Sequence, residues 1–415
     1  VDNSQLWTGQ GNDDIHISAS ASGDTPFAYG LLDSLIHTGT GDDSLSINAN
    51  TNNNNNWDPS FGAQNSLIHL GDGNDSLNIS SNANGTGSLE AYGLKNSIVD
   101  SGSGNDSINI NASASGNDWW NWNNADQAIA IALDHSQLWT GEGNDSIHIS
   151  ATASADTPFA YGLLDSLIHT GTGHDSLSIN VNTNNNNNWD PSFGAQNSLI
   201  HLGDGNDSLN ISSNANGAGS LEAYGLKNSI VDSGSGNDSI NINASASGND
   251  WWNWNNADQA IAIALDHSQL WTGEGNDSIH ISATASADTP FAYGLLDSLI
   301  HTGTGHDSLS IHVSTNNNNN WDPSFGAQDS WIYLGDGNDS FDIHANADGS
   351  GSLEAYGLKN SVVDSGSGND SINITTHADG DDWWNWNWDP HWNPADQATA
   401  VALDHSQLWT GEGND

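Results

Sequence analysis

A short turn motif, Gly-x-Gly-x-Asp, returns along this chain about every 31 residues, and this period constrains the fold more than any other feature. Thirteen copies occur, and they fall into larger blocks because the segment that starts at Gln5 is repeated at Gln137, Gln269 and Gln407. The first two blocks are equally long, and the third is slightly longer. A fixed period of this kind is typical of a solenoid, in which each repeat forms one coil and buries its faces only against its neighbours.

The residues on both sides of the motif alternate between inward and outward positions, as β-strands do. At the third motif this pattern places Ile68 and Leu70 on the inner face before the turn and Leu77 and Ile79 on it after the turn. A further short strand precedes each unit, as at residues 28–31. The sequence therefore predicts an all-β fold, a right-handed parallel β-solenoid of about 13 coils that is on the order of 60 Å long.

The repetition also predicts the domain organisation, which is one continuous solenoid over residues 1–415. Its sequence blocks are 1–132, 133–264 and 265–402, and residues 403–415 start a further block. The chain contains no Met, so we expect a mature form or a segment of a longer protein. Neither end carries a polar capping unit, so we expect the rod to continue covalently or by end-to-end stacking. No apolar stretch is long enough to predict a membrane span.

The charge balance restricts the partners of the chain. It has 52 Asp and Glu against 3 Lys and Arg, which gives a formal net charge of -49. No cationic surface exists to neutralise phosphates, so nucleic acid is excluded as a direct partner. Self-repulsion of this size opposes a compact state unless cations neutralise it. Because the chain has no Cys, disulfides and thiolate metal sites are also excluded, and a hard metal ion is the first candidate for what stabilises the fold.

The Asp that ends each motif is the candidate metal ligand. A tight turn with positive φ angles explains the Gly and Asn residues, but it does not explain the Asp. Stacked coils place these carboxylates about 5 Å apart, where they repel one another. Ca²⁺ bound to neighbouring carboxylates and turn carbonyls would replace this repulsion by a cross-link, whereas the alternative is a solvated turn without metal. The predicted ligands are Asp13, Asp43, Asp75, Asp106, Asp145, Asp175, Asp207, Asp238, Asp277, Asp307, Asp339 and Asp370.

These turns resemble a known family. Residues 143–149, Gly-Asn-Asp-Ser-Ile-His-Ile, are similar to the second part of the Gly-Gly-x-Gly-x-Asp-x-hydrophobic-x repeat of RTX (hemolysin-type) proteins, which are secreted calcium-binding β-rolls. The longer units, such as Ala-Tyr-Gly-Leu at 160–163, resemble large cyanobacterial surface and extracellular repeat proteins. The resemblance implies Ca²⁺ as the bound ion and an extracellular or bacterial cell-surface location. The chain departs from the family because each coil has one such turn instead of two, and because Asp42, His174 and His306 replace the turn Asn.

The connections between strands contain the candidate interaction residues. Three Asn-rich connections, residues 51–59, 183–191 and 315–323, recur once per block, and three further connections hold 11 of the 19 Trp. Insertions in solenoids gather on one face, which is often the interacting face. The Trp side chains either pack on the solenoid or a neighbouring chain, or stack on sugar rings. The candidates are Trp119, Trp120, Trp122, Trp251, Trp252, Trp254, Trp383, Trp384 and Trp386.

The sequence shows no catalytic constellation, because every Asp, Ser or His that could react recurs at a structural period. We therefore expect no enzyme. The favoured function is a structural component of a secreted, calcium-stabilised fibre or matrix that associates with itself end to end or laterally. An outer strip that includes Leu35, Leu67 and Ile98 is apolar enough to take part, unless loops cover it. The alternatives are an adhesin stalk or glycan-binding module that uses the Trp residues and, third, the RTX-like portion of a larger secreted enzyme.

Overall fold

The computed structural model describes residues 1–53, 57–116, 127–185, 189–248, 259–317, 321–349, 352–380 and 397–415. Over these ranges the chain consists of short strands in three parallel sheets, without any helix. Each coil contributes one strand to each sheet, and neighbouring strands of a sheet come from successive coils. The predicted all-β parallel solenoid with coils of about 31 residues is confirmed, although the last sequence repeat adds a strand to only one of the three sheets. Since the described part of the chain has no helix, it also has none that could cross a membrane.

Sheet 1 is formed by the strands that precede the Gly-x-Gly-x-Asp turns. It has 13 strands, and several of them extend into the first residues of the turn. Its strands are Gln5–Gln10, Leu35–Thr40, Leu67–Asp72, Ile98–Ser103, Gln137–Trp139, Leu167–Thr172, Leu199–Asp204, Ile230–Asp232, Gln269–Trp271, Leu299–His301, Trp331–Tyr333, Val362–Asp364 and Gln407–Trp409.

Sheet 2 is formed by the strands that follow the turns. It has 12 strands, all of them longer than any strand of the other two sheets, so it is the widest of the three. Its strands are Asp14–Gly23, Ser44–Asn53, Ser76–Gly85, Ser107–Gly116, Ser146–Ala155, Ser176–Asn185, Ser208–Gly217, Ser239–Gly248, Ser278–Ala287, Ser308–Asn317, Ser340–Gly349 and Ser371–Gly380.

Sheet 3 completes each coil. It also has 12 strands. These strands are Ala28–Leu32, Asp58–Gln64, Ser88–Lys95, Gln127–Asp134, Thr157–Leu164, Trp189–Gln196, Ser220–Lys227, Gln259–Asp266, Thr289–Leu296, Trp321–Gln328, Ser352–Lys359 and Gln397–Asp404.

The core consists of columns of inward side chains that repeat from coil to coil. Ile68, Leu70, Leu77 and Ile79 are at most 1% exposed, whereas Leu67 beside them is 41% exposed. The predicted inward register is therefore confirmed around this turn. Parallel pairing with no slip brings like residues together, so that inward Ile and Leu contact inward Ile and Leu of the next coil and are shielded from water in the middle coils.

The corner between sheet 3 and sheet 1 contains one non-glycine residue with positive φ in each coil. Asp165 has φ of 49°, and the equivalent positions are occupied by Asn, Asp or His, the side chains that tolerate this conformation best. The buried Ser166 that follows stabilises the corner, because its hydroxyl donates to the carbonyl of Leu164 at 2.8 Å and accepts the N–H of Ser136 at 3.1 Å. This contact explains why a small polar residue occupies an inward position there.

The corner between sheet 2 and sheet 3 is where the coils differ in length. The Asn-rich and Trp-rich connections fall there in every block, since each follows a sheet 2 strand and precedes a sheet 3 strand. The Asn-rich stretches are shorter than expected from the sequence, because strands resume at Asp58–Gln64, Trp189–Gln196 and Trp321–Gln328. The nine candidate Trp residues, at 119, 120, 122, 251, 252, 254, 383, 384 and 386, lie outside the described residues.

Candidate metal centre

The Gly-x-Gly-x-Asp turns stack on one another so closely that only glycine fits. Gly143 has φ of +140°, a conformation that side chains with a Cβ rarely adopt. A Cβ added to it would lie 1.8 Å from the carbonyl oxygen of Gly104 in the preceding coil. Its N–H also donates to the carbonyl of Thr172 in the following coil at 2.8 Å. The glycines therefore allow the approach that brings the predicted metal ligands of neighbouring coils together.

The predicted ligands form a hydrogen-bonded ladder along the rod. The Oδ1 atom of Asp145 accepts the backbone N–H of Asp106 at 2.8 Å, and the N–H of Asp145 donates to Oδ1 of Asp175 at 2.8 Å. Twelve such bonds, 2.8–3.2 Å long, connect the twelve predicted ligands and Asp415. The ten carboxylates from Asp43 to Asp339 are at most 2% exposed. They are thus buried, which differs from a solvated turn.

A second ladder runs beside the first in the opposite direction. The N–H of Asn144 donates to Oδ1 of Asn105 in the preceding coil at 2.7 Å, whereas the Asp ladder donates toward the following coil. The residues that replace Asn act in the same way: Asp42 accepts the N–H of Asn74 at 2.9 Å, and Nδ1 of His174 accepts that of Asn206 at 2.8 Å. One requirement therefore explains the variation at this position: the side chain must place an acceptor atom within hydrogen-bond distance of the backbone N–H in the next coil.

The other carboxylate oxygen of the Asp ladder is left without a partner. Oδ2 of each of the twelve predicted ligands is buried and accepts no hydrogen bond. Thr140, beside Asp145, donates its hydroxyl proton to the carbonyl of Thr170 at 3.0 Å, and the interaction of this hydroxyl with the carboxylate opposes the increase in the pKa of Asp145 that burial causes. A buried ionised oxygen without a donor is costly to the folded state, and binding a proton or a metal cation removes that cost.

Burial changes the protonation of these groups in one direction. Desolvation raises the pKa of Asp207 to about 7, and the charges of Asp175, Asp238 and Asp204 add to the increase, while the N–H that it accepts from Asp175 opposes it. Desolvation also raises the pKa of four further ladder residues, to about 7 for Asp106 and to about 6 for Asp75, Asp277 and Asp339. No Lys or Arg compensates these charges, because the three Lys of the chain all lie in sheet 3.

The Asp ladder offers the type of ligand that a hard cation prefers, but it offers fewer ligands than such a cation needs. An unpartnered carboxylate oxygen in every coil is the ligand type that Ca²⁺ prefers, but Ca²⁺ takes six to eight oxygen ligands. Within the described ranges, no group of three or more His, Asp and Glu is arranged to hold a metal ion. Turn carbonyls or water would therefore have to complete the ligand shell between two neighbouring carboxylates.

A column of aromatic rings on sheet 3 was not expected from the sequence. Tyr161 and Phe193 stack with centroids 4.8 Å apart, and Phe193 and Tyr224 with centroids 5.0 Å apart. The Nζ of Lys227 lies 3.8 Å from the centroid of Tyr224 and 3.8 Å from Oδ2 of Asp266. Tyr, Phe, Tyr and Ile recur at one position of successive coils, and this signal in the sequence could have revealed the column. It gives the three Lys a structural role, so they are not available to the turns.

A buried aspartate in sheet 3 was also missed. Asp190 is fully buried beside Leu221 of the next coil, and neither of its carboxylate oxygens has a hydrogen-bond partner. Desolvation raises the pKa of Asp190 to about 7, although an interaction with the Thr183 hydroxyl opposes the increase. Asp58 and Asp322 occupy the same position in the other two blocks. In the sequence these residues stand at the end of Asn-rich stretches that predict connections, although counting residues back from the aromatic column would have placed them on an inward strand position.

Outside the turns, the apolar strip on sheet 1 is open to solvent. Leu67 and Ile98 are 41% and 40% exposed, and Leu199 and Ile230 repeat these values in the second block.

Comparison with protein-family models, with curated proteins and with solved structures finds no match for this chain. The function of this chain must therefore be inferred from the geometry of the solenoid itself.

Proposed function

We propose that this chain is a structural component of a secreted, calcium-stabilised fibre, extracellular or at the cell surface, built by stacking β-solenoid coils. The main support is that joins between blocks repeat the joins inside a block. Sheet 1 passes from Ile98 to Gln137 across a block boundary in the same parallel pairing that links Leu67 to Ile98 within a block. The Asp ladder crosses the same boundary at 2.8 Å, from Asp106 to Asp145. A further block can thus extend the rod through contacts of the same kind.

The calcium part of the proposal is supported by the unpartnered Oδ2 atoms and by the resemblance of the turns to RTX repeats. Bound Ca²⁺ would supply positive charge to neighbouring carboxylates, while the Asp residues hold the ion and keep the turn hydrogen bonds through Oδ1. We expect EGTA to weaken the β-signal in circular dichroism and to lower the protection of turn amides against hydrogen exchange. Added Ca²⁺ should restore both. Equal spectra and equal protection with EGTA and with Ca²⁺ would remove calcium from the proposal.

The fibre part is tested by electron microscopy of the full chain over a range of concentrations with Ca²⁺ present. Stacked coils should give an axial repeat of about 4.8 Å, with a longer modulation of roughly 19 Å from the Trp-rich connections four coils apart. Filaments longer than one chain support the proposal. Dispersed short rods at every concentration contradict it.

A glycan-binding module is the second candidate, and one observation favours it. The three Trp-rich connections all follow equivalent sheet 2 strands, Ser107–Gly116, Ser239–Gly248 and Ser371–Gly380, so each begins at the same corner of the solenoid in its block. A glycan array tests this candidate, with Trp383, Trp384 and Trp386 replaced by Ala as the comparison. Loss of sugar binding in the variant supports the module, whereas loosened bundling without any sugar binding supports contact between chains.

A further inference from the structure

The outer face of sheet 2 differs from the rest of this acidic molecule because it is uncharged. Nine consecutive strands, from Ser44–Asn53 to Ser308–Asn317, contain no Asp, Glu, Lys or Arg, although the formal net charge of the chain is -49. Their outward positions are occupied by Ser, Asn, Thr and three His. Asp14 lies on the sheet 2 strand before this stretch, and Asp342, Asp348 and Asp379 lie on the strands after it.

The polar groups of this face are ordered by the register of the solenoid. The side-chain amide of Asn82 donates to Oδ1 of Asn50 at 2.9 Å, and Asn241 donates to Asn210 of the preceding coil at 3.0 Å. Such ladders hold the amides in rows along the axis. Side chains along one strand of the same face repeat about every 6.6 Å, and neighbouring strands about every 4.8 Å. The result is a regular array of short, neutral side chains.

Most of the other acidic residues in the described ranges lie on other parts of the surface, although Asp156 and Asp288 directly follow the strands Ser146–Ala155 and Ser278–Ala287 at the edge of this face. Asp72 and Glu142 border the turns, Asp165 occupies the corner after sheet 3, and Glu222 lies on sheet 3. Two copies of this chain that met at any of these rows would bring like charges together, which opposes association. The middle of sheet 2 is the extended face where this repulsion is weakest.

We propose that a second copy of this chain packs against sheet 2 through the same face, so that rods pair laterally. This inference rests on the proposed function as a fibre, and it names the contact between fibres. The nine uncharged strands present roughly 1,300 Å², whereas a standard interface buries roughly 800 Å² per partner. Short Ser, Asn and Thr side chains allow two sheets to approach to about 10 Å, and stacked Asn ladders stabilise such paired sheets. The charged strands at both ends limit the registers in which two copies can pair.

A matched pair of variants tests this contact. The first replaces Asn78, Asn84, Asn210 and Asn216 by Asp, which adds four charges to the face. The fold should tolerate them, because the third block carries Asp342 and Asp348 at the equivalent positions. The control adds the same four charges to the second ladder of the turns, at Asn74, Asn105, Asn206 and Asn237. Asp42 shows that this ladder accommodates Asp. Circular dichroism checks that both variants fold. If the fourfold sheet 2 variant does not fold, the double variant Asn78→Asp with Asn210→Asp makes the same test.

Sedimentation velocity of the full chain gives the readout. We expect the unaltered chain to associate, and to do so more strongly at high salt, because the remaining repulsion is screened over about 8 Å at physiological ionic strength. The sheet 2 variant should need at least a tenfold higher concentration, and the control should behave as the unaltered chain. Equal association of both variants overturns the proposal, as does a monomeric chain that instead binds an added neutral polysaccharide. Single, unpaired filaments in micrographs would leave the fibre intact and refute the pairing, whereas paired short rods without filaments would do the reverse.

Discussion

The buried turn carboxylates lead to a prediction that opposes the usual effect of acid on proteins, and Asp207→Asn tests it most directly. Asp207 is 2% exposed, its Oδ1 accepts the N–H of Asp175 at 2.8 Å, and its Oδ2 has no partner. Asn keeps the acceptor and carries no charge. The substitution therefore removes the buried charge while leaving the ladder in place.

The magnitude follows from the pKa of Asp207, which desolvation raises from 3.8 to about 7. A folded state that raises an acid's pKa binds more protons than the unfolded state, so stability is greatest below pH 4 and falls as the pH rises through about 7. At about 1.36 kcal/mol per pKa unit, and after reduction for residual solvent and for coupling to neighbouring carboxylates, ionised Asp207 costs about 2 to 4 kcal/mol. Asp207→Asn should therefore stabilise its coil by this amount at pH 8 and have almost no effect at pH 4.

Native-state hydrogen exchange of the Asp175 amide is the suitable assay, since solenoid coils open locally and a single global free energy is not well defined. In EGTA at pH 8, the variant should protect this amide more than the unaltered chain does. In Ca²⁺ the order should reverse, because Asn cannot supply the charge that we propose binds the ion. Asp165→Asn, on an exposed corner residue where other coils carry Asn, is the control and should change protection by about 0.5 kcal/mol or less. Lower protection of the Asp207 variant in EGTA at pH 8 would refute the reasoning.

Three further predictions concern the buried carboxylates and the close stacking of the turns. In EGTA the thermal midpoint of the whole chain, measured by circular dichroism, should be higher at pH 5 than at pH 8, because desolvation raises the pKa of the buried turn aspartates; a higher midpoint at pH 8 would contradict this. Gly143→Ala should destabilise its coil by more than the roughly 1 to 2 kcal/mol expected of positive φ alone, because its Cβ would lie 1.8 Å from the oxygen of Gly104. Gly11→Ala, with nothing within 4 Å of its Cβ, isolates the φ effect, and hydrogen exchange of the turn amides measures both. Asp190→Leu should stabilise its coil at pH 8 by about 2 kcal/mol or more in hydrogen exchange of the sheet 3 amides, because it removes a buried carboxylate whose pKa burial raises to about 7. Leu221 occupies the same inward position one coil later, and a loss of stability would show that the interaction of Asp190 with the Thr183 hydroxyl outweighs the cost of burial.

Much of the candidate site was predictable because the turn motif is local. Gly-x-Gly-x-Asp specifies a tight turn within one short segment, and the repeat period alone implies that Asp145 stacks on Asp106 and Asp175. The sequence could not show that Oδ1 of each Asp accepts an N–H from the preceding coil, because that bond joins residues 30 to 45 positions apart. The calcium ligands stay a prediction. The structure adds a reason for them, since one carboxylate oxygen per coil is buried without a donor.

The spacing of like residues along the chain was enough to predict the parallel solenoid, the length of its coils and inward positions such as Ile68 and Leu77. The packing of successive coils was needed to show which polar residues are buried and which groups meet across coils. Asp190 reads as part of an Asn-rich connection, yet it lies in the core, and Lys227 reads as a lone cation, yet it lies on a column of aromatic rings. The physical reason is that burial depends on what the neighbouring coil places above and below a residue, and no local pattern contains that information.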